Sequence, residues 1–375
     1  MKKIIIVFLI FLSLLFFLPE KKEDEEIRGV YISYIEISKY LKDKSELESK
    51  NNIDQIIKNI KELKLNTIIL QVRPSMDSIY PSKIFPISKY LSDSNTYSYD
   101  VLDYFLNISH KENIKVIAWI NPYRVLTRGT IESIPTNSPV YKYIGTNILY
   151  ENNGVFLNPA REESTNIIVK GVEEILNYKV DGIIMDDYFY PGNDVDEKEY
   201  LQSNTTLSRE EYHLEIINNM VKKVHDTCKN KNILFGISPE GNIENNYTKN
   251  YADVKKWLNS KDYVDFIIPQ LYYGFENETK PFIETSRAWD EMITEDIPLI
   301  PALAFYKAGE EDYYAKSGKN EWINNHNIIE KEIIHVRTLK NYKGFILYRY
   351  DNIFSSEMTK ASQEEKENMK KTLES

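Results

Sequence analysis

Eight short β-rich runs, separated by stretches of helical periodicity, constrain this chain more than any other feature. They span residues 28–34, 65–74, 115–124, 180–191, 234–242, 264–274, 298–307 and 344–351. Alternation of this kind calls for repeated β-α units with parallel strands. Most runs begin nearly continuously apolar, which suits strands covered on both faces, and then turn abruptly polar and aromatic at their C-terminal ends. Between the runs, Ile53, Ile56, Ile57, Ile60 and Leu63 share one helical face, as do Tyr212, Ile216, Ile217, Val221 and Val224. Ser208 and Glu211 form a capping-box pattern at the start of the second helix. The Lys- and Glu-rich stretch 356–373 reads as a solvated eighth helix closing the ring.

Eight strands with eight helices predict an α/β fold, a (β/α)8 TIM barrel, in which sites sit at the C-terminal face built by the βα loops. About 350 residues exceed the usual 250 or so of that fold. The excess follows strands, at 75–99, 125–164, 192–207 and 308–320, so enlarged βα loops crowd the C-terminal face and suit an extended groove. Neither linker, repeat nor low-complexity tract divides residues 27–375, which read as a single barrel domain.

Residues 1–26 are set apart as a signal segment with an acidic spacer. Met1-Lys2-Lys3 precedes an apolar run from Ile4 to Leu18, and acidic residues follow from Glu20 to Glu26, the order of a secretory signal. The run rises only about 22 Å as a helix, short of a roughly 30 Å hydrocarbon core. A cleaved signal peptide and an uncleaved signal anchor both fit. The barrel is expected outside the membrane, at the cell surface or secreted, touching the membrane only through this segment. A net charge of −10 argues against a nucleic-acid partner, because phosphate binders cluster Lys and Arg. A single cysteine, Cys228, excludes an intramolecular disulfide framework.

The strand ends bring together Arg73, Trp119, Asn121, Tyr123, Arg124, Asp186, Asp187, Tyr188, Tyr190, Glu240, Asn242, Gln270, Tyr272, Tyr273, Tyr306, Tyr348, Arg349 and Asp351. Carboxylates among amides and aromatic rings suit a sugar, whose rim needs forked hydrogen bonds and whose C–H faces pack on rings. Arg73 and Arg124 are also readable as ion-pair partners that hold loops. The five histidines, His110, His213, His225, His326 and His335, fall in helical or loop segments, away from the strand ends where a barrel metal site needs them. Neither a phosphate-binding glycine loop nor a G-x-S-x-G elbow occurs. No metal or other cofactor is expected.

Glycoside hydrolysis runs on two carboxyl groups, one protonating the leaving oxygen and the other acting as base or nucleophile. Asp186 and Asp187 are adjacent, so an extended strand would point them to opposite faces and leave one structural or orienting. Asp187 is the first choice for general acid, Asp186 for orienting or stabilising charge, and Glu240 for the second catalytic carboxylate.

The motifs LQVRPSMDSIYPSKIFPISKYL, VIAWINPYRV, DGIIMDDYFYP, FGISPEGN and VDFIIPQLYYG, in this order across the chain, resemble the bacterial glycosyl hydrolase-like family 10. The resemblance implies an exported glycosidase-type barrel of the bacterial envelope, with members associated with peptidoglycan glycan strands. It implies a groove role for Arg73, Asp77, Asn121, Tyr123, Arg124, Asp186, Asp187, Tyr188, Ser238, Gln270 and Tyr272. Two positions depart from it: Ile117 stands where the family has a histidine, and Glu240 where a Phe or similar residue follows Ser-Pro. The fourth run is also distantly similar to the D-G-x-D-x-D-x-E signature of family 18 chitinases, but Ile184 and Tyr188 replace an Asp and the terminal Glu. The combined expectation is a hydrolase of an amino-sugar polymer, most closely peptidoglycan glycan, with a non-catalytic glycan-binding barrel as the alternative. A metal-dependent amide hydrolase or deacetylase is a more distant reading.

Overall fold

In the computed structural model, which describes residues 25–94 and 96–374, every one of the eight runs supplies a strand. These are β1 (Ile27–Ile32), β2 (Thr67–Arg73), β3 (Lys115–Ile120), β4 (Gly182–Met185), β5 (Leu234–Ile237), β6 (Phe266–Ile267, continued by Gln270–Leu271), β7 (Ala302–Leu303) and β8 (Gly344–Leu347). Each pairs in parallel with its neighbour. The ring closes where Ile27 to Val30 of β1 lie beside Gly344 to Leu347 of β8, and where Gln270 and Leu271 lie beside Ala302 and Leu303. The expected (β/α)8 barrel is therefore the fold. The predicted signal segment lies outside the described residues except for Glu25 and Glu26.

The apolar runs are continuous because both strand faces are covered. One set of side chains fills the lumen, among them Tyr31, Ile69, Ile117, Trp119, Ile184, Phe266 and Ile346. The alternate set, such as Val30, Ile68, Leu70, Val116, Ile183 and Phe235, packs outward in a larger core shared with the helices. Helix Glu46–Glu62 buries Ile53, Ile56, Ile57 and Ile60, the predicted face. Helix Arg209–Lys229 begins with the predicted capping box, in which Ser208 Oγ accepts from the Glu211 N–H and Glu211 Oε2 accepts from the Ser208 N–H. At the opposite face of the barrel, burial would raise the Glu26 carboxyl, but hydrogen bonds from Arg337, Tyr342 and Arg28 outweigh it and hold the group at about 2.

The enlarged loops follow strands, as expected. The one after β3 carries a three-stranded antiparallel sheet of Arg124–Leu126, Leu149–Glu151 and Val155–Leu157, and the one after β4 a short helix, Glu197–Gln202.

The last helix, Lys360–Glu374, differs from the solvated one predicted. It buries Glu365, Met369, Thr372 and Leu373 against helix Ile328–Val336. Glu365 accepts the Ile329 N–H at 2.6 Å, while its second oxygen and both oxygens of fully buried Glu332 lack a hydrogen-bond partner. Burial raises the Glu365 carboxyl from 4.5 to about 7. Burial, with the charge of Glu365 next, pushes Glu332 well above its ordinary value. A carboxyl raised by folding favours the folded chain at low pH and weakens it as pH climbs from 4.5 toward 7. Glu365→Gln is therefore expected to raise unfolding stability at pH 8 by up to about 3 kcal/mol and to change it little at pH 4, as read by denaturant titration.

Candidate active site

Strand β4 ends at Met185, whose carbonyl accepts the Ser238 N–H at 2.7 Å. The chain then turns sharply, with the Phe189 N–H donating to the Asp187 carbonyl at 3.1 Å. Phe189 is buried and meets Trp257 edge-on at 5.9 Å, which pins the turn from below. Because Asp186 and Asp187 lie beyond the strand, the alternation of strand side chains does not apply to them. Both line one pocket, contrary to the expectation of opposite faces. The pocket, of about 170 Å³, is completed by Tyr31, Trp119, Tyr188, Ser238, Gln270, Tyr272, Tyr306 and Tyr348.

Asp186 is only 4% exposed. Its Oδ2 accepts from Asn121 Nδ2 at 2.5 Å, Asn121 Oδ1 accepts from Gln71 Nε2 at 2.7 Å, and Gln71 Oε1 accepts the Tyr34 N–H at 2.9 Å. This relay of three hydrogen bonds across the ends of β4, β3, β2 and β1 fixes the carboxylate. Burial raises Asp186 to about 6, moderated by the Arg124 charge. N–H groups of Tyr188 and Trp119 lie near enough to lower it, yet neither completes a hydrogen bond to its Oδ1. Asp187 rises further, to about 7, first through burial and then through repulsion by Asp186, with Glu240 adding to it. Gln270 Nε2 opposes the rise, donating to Asp187 Oδ1 at 3.3 Å and to the Ser238 carbonyl at 2.9 Å.

Aromatic rings form the other walls. Tyr31 stands edge-on to Trp119 and to Tyr348, each at 5.4 Å, and Tyr272 packs on Tyr348 at 5.4 Å and Tyr306 at 5.7 Å. The Tyr31 and Ser238 hydroxyls are hydrogen-bonded at 2.8 Å. At the rim Arg124 lies over the Tyr188 ring at 4.3 Å, and Tyr188 is 55% exposed.

Several predicted site residues are placed elsewhere. Glu240 is not in the pocket lining: the Asn245 and Asn250 amides, in and just after the helix Ile243–Thr248, donate to its carboxylate at 2.5 and 3.4 Å. Tyr273 is close enough to Glu240 to feel its charge but also lies outside the lining. Arg73 is fully buried, stacked over Phe85 at 3.8 Å and closely apposed to Gly171, where an added Cβ would strike its guanidinium. A register shift between Gln71 and Arg73 accompanies the change that leaves Gln71 in the buried relay and Arg73 against helix Glu162–Ile175, which carries Gly171. Asp77 accepts from the Ser75 N–H and Ser88 Oγ and lines a separate cavity of about 230 Å³ between the loops after β2 and β3. Tyr123 is buried in the outer core. Tyr190 stacks on His213 and donates to Asp196. Asn242 caps helix Ile243–Thr248, and Asp351 pairs with Lys39 and Tyr40. The five histidines have structural partners: Asp181, Asp196, Asp265, Glu364 and Ser286. Ile117, at the expected histidine position, fills the lumen beneath Trp119.

Sequence reasoning missed Tyr31 and Gln71. Tyr31 lies inside its run rather than at its polar end, but its place between apolar Val30 and Ile32 marks the alternate, inward face.

Comparisons with known proteins fit this architecture. The chain is similar to glycosyl hydrolase YngK of Bacillus subtilis (strain 168), at 29% identity over 288 residues that cover 69% of this chain and 56% of YngK. It is similar to glycosyl hydrolase DigH of Escherichia coli (strain K12), at 27% identity over 328 residues covering 78% of this chain and 74% of DigH. The chain thus spans little more than half the length of YngK. Its fold resembles the glycoside hydrolase domain of PgaB (BpsB) from Bordetella bronchiseptica, with a TM-score of 0.61 and 12% identity over 92% of this chain and 99% of that one. Residues 26–320, which carry Asp186, Asp187 and most of the pocket, match Glycosyl hydrolase-like 10, and the chain belongs to that family.

Proposed function

We propose that this barrel hydrolyses glycosidic bonds in an amino-sugar polymer, most closely the glycan strands of peptidoglycan, by carboxyl acid-base chemistry outside the membrane. The observation that carries this reading is the Asp187 carboxyl, held near neutrality in an aromatic-walled pocket at the C-terminal mouth of the barrel. A general acid works best with a pKa near the working pH, and a raised Asp supplies one. Asp187 protonates the leaving oxygen, while Asp186 stays ionised and offsets positive charge developing on the sugar. Rings such as Trp119 and Tyr272 take the sugar's C–H faces. Glu240, outside the pocket lining, acts on Asp187 through its charge.

The full-length protein is expected to release fragments with new reducing ends from peptidoglycan glycan, tested with and without stem peptides. Binding to the glycan with no bond cleaved would overturn the hydrolase reading and leave a glycan-binding barrel.

The pair has one proton to share when it is active. Below about 6 Asp186 gains a proton, and above about 7 Asp187 loses the one it must donate, so kcat/KM is expected to peak between these values. Glu240→Gln removes a charge that raises Asp187. Its alkaline limb is expected to move to lower pH with kcat reduced less than about tenfold, which a pH-rate profile reads directly.

A further inference from the structure

We propose that the nucleophile comes from the substrate: the 2-acetamido oxygen of the sugar in the pocket attacks that sugar's own C1, and Asp186 positions the acetamido group by accepting its N–H. This inference rests on the glycan-hydrolase reading above and narrows its substrates to 2-acetamido sugars at the cleaved bond.

The placement of the carboxylates carries it. Direct displacement by water or by an enzyme carboxylate needs two carboxyl groups flanking the scissile bond from its two sides. Among the described residues, the carboxylates that line the pocket are consecutive residues on one strand end, Asp186 and Asp187. In a closed ring of eight strands the wall facing β4 comes from β8 and its neighbours, which present Tyr348, Tyr31 and Tyr306. The remaining candidate, Glu240, is bound to Asn245 and Asn250. Among the described residues, the wall across from the acid therefore lines the pocket with rings and hydroxyls; the carboxylate near that side, Glu36, is outside the lining and is taken up by Ser33, Arg349 and the Asp351 N–H.

Asp186 supplies the second observation. One oxygen is anchored by Asn121, but Oδ1 is buried without a hydrogen-bond partner. Buried acceptors are nearly always satisfied, and each exception asks for an explanation. A sugar hydroxyl or an amide N–H can fill this one. The fixed, ionised carboxylate beside the acid best suits an acetamido N–H, because accepting it turns the amide and makes its carbonyl oxygen more nucleophilic. Trp119 Nε1 is also buried without a partner next to the same group, and Trp119, Tyr31 and Tyr348 form an apolar surround that suits the acetyl methyl.

The step balances without any further reactant. The acetamido carbonyl oxygen forms a bond to C1 as the bond from C1 to the leaving oxygen breaks, and Asp187 gives that oxygen its proton. The nitrogen's proton is shared with Asp186 in the cyclic oxazoline intermediate. Water then attacks C1 from the vacated side, Asp187 takes its proton, and the ring reopens to the acetamide with the anomeric configuration retained.

The test uses the full chain on peptidoglycan glycan strands before and after chemical de-N-acetylation, with thiazolines of N-acetylglucosamine and N-acetylmuramic acid as stable mimics of the oxazoline. De-N-acetylation is expected to lower kcat by at least about 10²-fold, because an intramolecular nucleophile is lost. One of the thiazolines is expected to inhibit competitively, and nuclear magnetic resonance to show retention. Asp186→Asn is expected to lower kcat more than it raises KM and to abolish the acidic limb of the pH profile, which a purely structural role would not remove. Hydrolysis with inversion, equal rates on both glycans, or no thiazoline inhibition would overturn the inference while the hydrolase reading stood. No hydrolysis of any glycan would overturn both.

Discussion

Replacing Asp187 with Asn is expected to slow glycan hydrolysis by about 10² to 10⁴ while the fold and glycan binding persist. The substitution keeps the shape and the contact with Gln270 but removes the transferable proton. The loss should be smaller on aryl glycosides with good leaving groups, since these need little protonation. Stability should move the other way. Asp187 titrates higher in the folded chain than its ordinary 3.8, so at pH 8 the fold carries an ionised, buried pair that the amide relieves. A variant that is inactive and more resistant to urea at pH 8 than wild type is the expected combination. Near-full turnover with the amide in place would show that the acid is another residue.

The second large effect concerns the support under the acid. Phe189→Ala deletes a fully buried ring two residues after Asp187 and opens a cavity against Trp257, whose indole N–H is already committed to Asn218 Oδ1 at 2.6 Å. Truncations of buried Phe cost about 3 to 5 kcal/mol, because transfer energy and a residual cavity add. Urea unfolding measures that loss. The turn held by the Phe189 N–H also places both carboxyls, so kcat is expected to fall by about 10² under conditions where the variant is fully folded. A destabilised variant with unchanged kcat would mean that the turn holds its geometry without the ring.

The barrel was legible because its signals are long and repeated. Runs such as KVIAWI and GIIM combine continuous apolarity with a polar end, and every run formed a strand at its place in the ring. The site was legible in part, since Trp119, Asp186, Asp187, Tyr188, Gln270, Tyr272 and Tyr306 meet in one pocket. What failed depended on geometry just beyond each strand. The direction of Asp186 followed from where β4 stops, and that of Arg73 accompanied a register shift in β2, neither of which composition encodes. Asn242 and Asp351 are strand-end polar residues consumed by a helix cap and an ion pair. Those roles compete with ligand binding for the same residue types. Glu365 was read as solvated because its neighbours are charged, whereas burial follows the helical face, shared with Met369 and Leu373.

The central claim is that Asp186 and Asp187 share a proton near neutral pH. Carbon-13 nuclear magnetic resonance of the full chain labelled at the aspartate carboxyls, assigned with Asp186→Asn and Asp187→Asn, measures this without any substrate. Two carboxyl signals are expected to titrate with apparent values near 6 and 7, and removal of either acid is expected to lower the midpoint of the other. If both signals titrate close to the ordinary 3.8 and ignore each other's removal, the pocket holds no acid at neutral pH, and the account is contradicted.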